Sequence, residues 1–239
     1  MKIGIAGMTR VVVLCTLAGA GTTAALPDEI DRLFAEFNRQ NDAGNSREAE
    51  ATARQMVANS LTSEWKAASY NCLGIACDRQ GRRQEAIEAY RVAGSFPLPL
   101  DNEYRGWIPN NLGLVYSSLR QYAEAERYLN LARERFEKSR GTDSREVATV
   151  YRGLGRLYRD QHRYAVAEPF CKAALRISEK VLGEDDAEVA WRLRDLAELY
   201  LDQSRHEAAE PVLNRAISIL EKARGPEHPD VATALMTFT

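Results

Sequence analysis

The sequence predicts an all-α solenoid of stacked antiparallel helical hairpins, and three observations carry that reading. The first is a repeat. Leu112, Leu154 and Leu196 are separated by 42 and 42, and the same step links Tyr116, Tyr158 and Tyr200. It also links Ala125, Ala167 and Ala209, then Ala132, Ala174 and Ala216, then Gly141, Gly183 and Gly225. So many coincidences at one period mark a chain built of repeated supersecondary units. The second is helical spacing within each period. Val147, Val150, Tyr151, Leu154, Leu157 and Tyr158 form one stripe, and Tyr164, Ala167, Phe170, Cys171, Ala174, Leu175, Ser178 and Val181 form another. The third is a pair of small-residue slots. Gly74, Gly113, Gly155 and Ala197 hold one in the first helices, and Ala86, Ala125, Ala167 and Ala209 hold one in the second. Side chains this small let two helices approach toward the short end of the usual range of about 8–10 Å. A lone hairpin leaves its other face bare, so the units must stack.

Taken in order, residues 1–25 read as a secretory signal peptide. Lys2 and Arg10 precede an apolar run from Val11 to Gly21, and Ala24-Ala25 offers a cleavage site. The run is shorter than the roughly 20 apolar residues a spanning helix needs. Retention as an amino-terminal anchor stays open, whereas acylation at Cys15 is disfavoured by Leu14 in front of it. Residues 28–66 form a degenerate first hairpin, and full units follow at 67–107, 108–146, 147–188 and 189–228. The first full unit sits at a shorter step of 39, with Leu73-Gly74 aligned to Leu112-Gly113. Residues 229–239 begin the first helix of a further, incomplete repeat. There Val231, Leu235 and Phe238 predict an apolar edge suited to self-association. Within the second helices, Pro169 and Pro211 are expected in about the first turn, where few amides yet have partners. Gly183 is expected to end its helix in a left-handed conformation.

Composition bounds the function. The chain has 239 residues, 45% apolar and 28% charged, with a net charge of −2 that falls to about −4 once Lys2 and Arg10 leave. No positive field argues for nucleic acid. Export would leave Cys72, Cys77 and Cys171, an odd number on apolar helical positions, read as small buried hydrophobes rather than a disulfide framework. His162, His206 and His228 lie at or near turns without metal-ligand spacing. There is no Gly-x-Ser-x-Gly elbow and no Gly-rich phosphate loop. No enzyme activity, metal or cofactor is therefore expected. Trp65, Trp107 and Trp191 near the starts of first helices read as packing residues.

The Leu-Gly-x-x-Tyr of the first helix, with alanines thirteen and twenty positions after the leucine, resembles the tetratricopeptide repeat. The 42-residue period and Gly225-Pro226-Glu227-His228-Pro229-Asp230-Val231-Ala232 resemble its kinesin-light-chain type. The resemblance covers roughly residues 67–239 and, weakly, 28–66. It implies a right-handed superhelix whose first helices line a concave groove that binds a partner peptide or domain, without catalysis. A regulatory or sensor module of a larger signalling or proteolytic system is the alternative.

Candidate groove residues are those two before each repeat leucine, Asn71, Asn110, Arg152 and Arg194, together with Arg156 and Arg159. Arg152, Arg156 and Arg159 share one helix side at i, i+4 and i+7. Guanidinium groups bind carboxylates in two-point geometry, so this ladder suits an acidic or carboxylate-terminated protein segment. The competing reading pairs the same arginines with Asp195 and Glu198 of the next helix. The pattern lacks the lysines of the family's carboxylate clamp, so no clamp residue carries over.

Overall fold

Four side chains spaced by the repeat set where the hairpins of the carboxyl-terminal half begin. Asn102 Oδ1 accepts from the Tyr104 amide at 3.0 Å, and Ser144 Oγ from Val147 at 3.3 Å. Asp186 Oδ1 accepts from Glu188 at 2.7 Å, and His228 Nδ1 from Asp230 at 3.2 Å. Each satisfies an amide that the first turn of a helix leaves unpaired. The computed structural model describes residues 27–236. Among them are eleven helices: α1 (Pro27–Asp42), α2 (Ser46–Asn59), α3 (Ser63–Arg79), α4 (Arg83–Ser95), α5 (Tyr104–Ser118), α6 (Tyr122–Arg140), α7 (Arg145–Asp160), α8 (Tyr164–Leu182), α9 (Ala187–Asp202), α10 (His206–Arg224) and α11 (Pro229–Met236). Helices α3, α5, α7 and α9 start upstream of the unit edges drawn from the leucine register, because their caps lie upstream. Residues 1–25 lie outside the described residues.

The helices divide between two compact units that meet in sequence at Leu98 and Pro99. In the first, α1 packs on α2, α2 on α3 and α3 on α4. Phe34, Phe37, Ala49, Ala53, Met56, Cys72 and Ala76 form a core there, with Trp65 edge-on to Phe34. In the second, the hairpins α5–α6, α7–α8 and α9–α10 pack in order, and α11 closes on α10. Fold class and hairpin packing are as the sequence predicts: stacked helical pairs, with no strand among the described residues.

The small slots work by close approach. A Cβ on Gly113 would sit 2.7 Å from Leu129 Cγ and 3.2 Å from the Ala125 carbonyl oxygen, and one on Gly155 would meet Cys171 Sγ at 2.6 Å. Cys72, Cys77 and Cys171 are free and buried. Burial pushes the Cys171 thiol up to about 12, so it stays protonated and inert near neutrality.

Turns within the hairpins share one closure. The amides of Arg82, Gln121, Arg163 and Arg205 donate to the carbonyls of Cys77, Tyr116, Tyr158 and Tyr200 at 2.8–3.0 Å. This six-to-one bond places the residue before each at positive φ: Gly81, but also Arg120, His162 and Ser204, at φ 77°, 58°, 58° and 57°. His162 is thus a turn residue, although glycine would adopt its backbone with less strain.

Four expectations need correction. Pro169 and Pro211 lie inside α8 and α10, beyond the first turn, where each forgoes one intrahelical hydrogen bond. Gly183 has φ 92° with ψ 156°, outside the left-handed helical well and in a region that essentially only glycine enters. Gly141 and Gly225 share that conformation at the ends of α6 and α10. Val231 does not line an open edge: it is 1% exposed, packed with Val189, Leu193 and Leu220, because α11 turns its apolar stripe onto α9 and α10. The Leu235 side chain and Phe238 lie outside the described residues.

Candidate partner-binding surface

In the unit from Pro99 onward, the first helices touch one another, α5 with α7 and α7 with α9. No pair of second helices comes as close among the described residues. The layer therefore bends with α5, α7 and α9 on its inner side. Residues at one repeat register line up across that side, so Leu114, Arg156 and Glu198 form a row of apolar, basic and acidic groups. Leu114 is 41% exposed and Arg156 is also exposed.

The arginine ladder is real but mostly engaged. Arg152 Nε donates to Asp195 Oδ2 at 2.5 Å. Arg159 Nη1 donates to Glu198 Oε2 at 2.5 Å, with Asp202 Oδ2 3.5 Å from its Nε. Two turns before Arg152, Arg145 holds both oxygens of Glu188. Arg194 Nε lies 3.4 Å from Glu198 Oε1 without hydrogen-bond alignment. The competing reading is thus what Arg152 and Arg159 do: they bridge α7 to α9. Arg156 has no ion-pair partner among the described residues and faces solvent.

Asn71 and Asn110 are corrected by burial. They are 3% and 2% exposed, and Asn110 Nδ2 donates to Asn111 Oδ1 at 3.2 Å. An asparagine is short enough to stay inside the packed layer. Arginine at the same register reaches out, leaving the Arg152 and Arg194 side chains 26% and 24% exposed. Asn71 belongs to the other compact unit.

Arg192 escaped sequence reasoning, and so did the burial of Asp195, which the sequence presents only as a pairing partner. Arg192 and Asp195 are 4% and 5% exposed, at registers where α7 carries Val150 and Gly153. A charge at a repeat position that is apolar or glycine in the preceding unit was the available signal. Burial, with Arg152 adding to it, pushes the Arg192 guanidinium down to about 10. No group of three or more His, Cys, Asp or Glu among the described residues is placed to hold a metal ion.

Comparison with known proteins decides the family. The Tetratricopeptide repeat family matches residues 104–170 and 157–222. The chain belongs to it. Similar solved structures are tetratricopeptide-like and include kinesin-light-chain-like repeats. BtubC (BKLC) from P. vanneervenii is 26% identical with a TM-score of 0.69, over 84% of this chain and 82% of that one. The nearly identical TPR-like repeats described as a kinesin light chain from Podosopora anserina are 20% identical with a TM-score of 0.63, over 83% and 98% of the two chains. A Rap protein solved in complex with Competence and Sporulation Factor is 13% identical with a TM-score of 0.63, over 88% and 70%, and shares the fold alone. No curated protein matches. As a tetratricopeptide repeat protein, the chain has the fold of a protein-interaction scaffold.

Proposed function

We propose that this chain is a non-catalytic scaffold that holds an extended, acidic segment of a partner protein along the inner row of α5, α7 and α9. The observation that carries the reading is Arg156, exposed and unpaired beside the exposed Leu114 while the arginines around it are fixed by carboxylates. A segment bearing an apolar side chain next to a carboxylate matches that row. Arg152 and Arg159 keep α7 and α9 in register and so pre-organise the surface. The test uses a labelled dodecapeptide alternating Leu and Glu, and its Leu–Lys counterpart, followed by fluorescence anisotropy. The acidic peptide should bind, more weakly as salt rises. Arg156→Glu should reduce affinity on the order of tenfold, about 1.4 kcal/mol. Lys138→Glu, on the exposed side of α6, should leave it unchanged. Equal binding of both peptides, or equal affinity in both variants, would reject the reading.

We also propose that the chain works outside the cytoplasm after losing residues 1–25, on the strength of Lys2, Arg10, the apolar run and Ala24-Ala25. Intact mass of protein from the native cell envelope should begin at Leu26. Cytosolic protein that retains Met1 or Met8 would refute export.

A further inference from the structure

Arg192 is a buried cation whose hydrogen-bonding needs the fold leaves unmet. It is 4% exposed, its Nε has no hydrogen-bond partner, and no other hydrogen bond from its guanidinium exists among the described residues. The nearest carboxylate oxygen, Glu188 Oε2, lies 3.8 Å from Nη2, and Arg145 already holds both Glu188 oxygens. Asp195, the other buried carboxylate of α9, is taken by Arg152. Around this point Arg145, Arg152 and Arg192 face Glu188 and Asp195, while Asp186 and Glu146 also act on Arg145. A buried charge whose partner is distant and shared, and which makes no hydrogen bond, is unfavourable, and its neighbours ordinarily supply what it lacks.

Arg152 commits only its Nε to Asp195, which leaves both of its Nη groups uncommitted, on a side chain 26% exposed and close enough to Arg192 to repel it. We propose that Arg192 and Arg152 bind one oxyanion, a carboxylate or phosphate group, between α7 and α9. A single anion would accept from two guanidinium forks, the geometry in which arginine binds oxyanions most strongly. Burial strengthens the effect, because charges removed from water interact through a lower effective dielectric. Burial first, and then the neighbouring Arg152, depress the Arg192 pKa, so both guanidinium groups bear on the same point. The inference does not rest on the acidic-segment reading, since small anions test it with no partner present.

The experiment is thermal unfolding of the full chain in sodium phosphate, sodium acetate or sodium chloride at matched ionic strength. In phosphate or acetate, or both, the melting temperature should rise saturably above its value in chloride. The rise should reach about 2–4 °C once the anion exceeds its dissociation constant several-fold. A response to phosphate alone assigns the site to phosphoryl groups; one to acetate alone assigns it to carboxylates. Arg192→Met should remove the anion response. Arg152→Met should weaken it, and Arg215→Met, whose side chain pairs with Glu179 elsewhere, should retain it. If Arg192→Met does not fold, loss of the response in Arg152→Met alone carries the proposal. No response to either anion in the unmodified protein, or a full response in both Arg192→Met and Arg152→Met, overturns it.

Discussion

Phe136→Ala should destabilise the protein by about 3–5 kcal/mol, the usual range for removing a fully buried aromatic ring. Phe136 is 1% exposed on α6 and lies edge-on to Trp107 of α5, with ring centroids 5.0 Å apart. Its ring sits against the bare backbone of Gly106, so closely that a Cβ there would fall 2.4 Å from ring carbons. The cavity would be lined by helix backbone and by an indole already packed in place, and neither collapses readily. Urea unfolding followed by circular dichroism measures the loss. Adding Gly106→Ala to Phe136→Ala should recover part of it, because the methyl group occupies space that the ring forbids in the native chain. A loss below about 1 kcal/mol, or a further loss in the double variant, would contradict this account of the α5–α6 contact.

Asp195→Ala should have an effect of similar size, about 3–5 kcal/mol, for an electrostatic reason. The Asp195 side chain is 6% exposed and accepts from Arg152, and Arg192 lies in the same buried cluster. Deleting the carboxylate leaves two guanidinium groups with less counter-charge where water is largely excluded. The double variant Asp195→Ala/Arg192→Leu removes a buried charge of each sign and restores an apolar residue at the register of Val150. Its stability should return to within about 1 kcal/mol of the native protein. Additive losses in the double variant would mean that Asp195 and Arg192 do not share one cluster.

Much of the fold was legible because a repeat states the same local solution several times. The 42-residue step exposed the leucines, tyrosines and small slots, and physical contact at Gly113 and Gly155 explains why those slots are small. The capping series Asn102, Ser144, Asp186 and His228 was visible at the same step, but its members differ in chemistry and share only a side-chain acceptor. The candidate surface was less legible. Periodicity places Asn110, Arg152 and Arg194 at one register without distinguishing a side chain inside the layer from one that reaches past it.

By itself, then, the sequence determined the hairpin, its period and the family, because backbone approach and apolar stripes are local and repeat with the chain. Only the tertiary structure decided which arginines are engaged. Arg152 finds Asp195, and Arg159 finds Glu198, on a helix some forty residues away in sequence. Such pairing depends on the position of one hairpin against the next. The same stacking leaves Arg156 open to solvent and closes around Arg192, a difference of environment that no residue-by-residue pattern encodes.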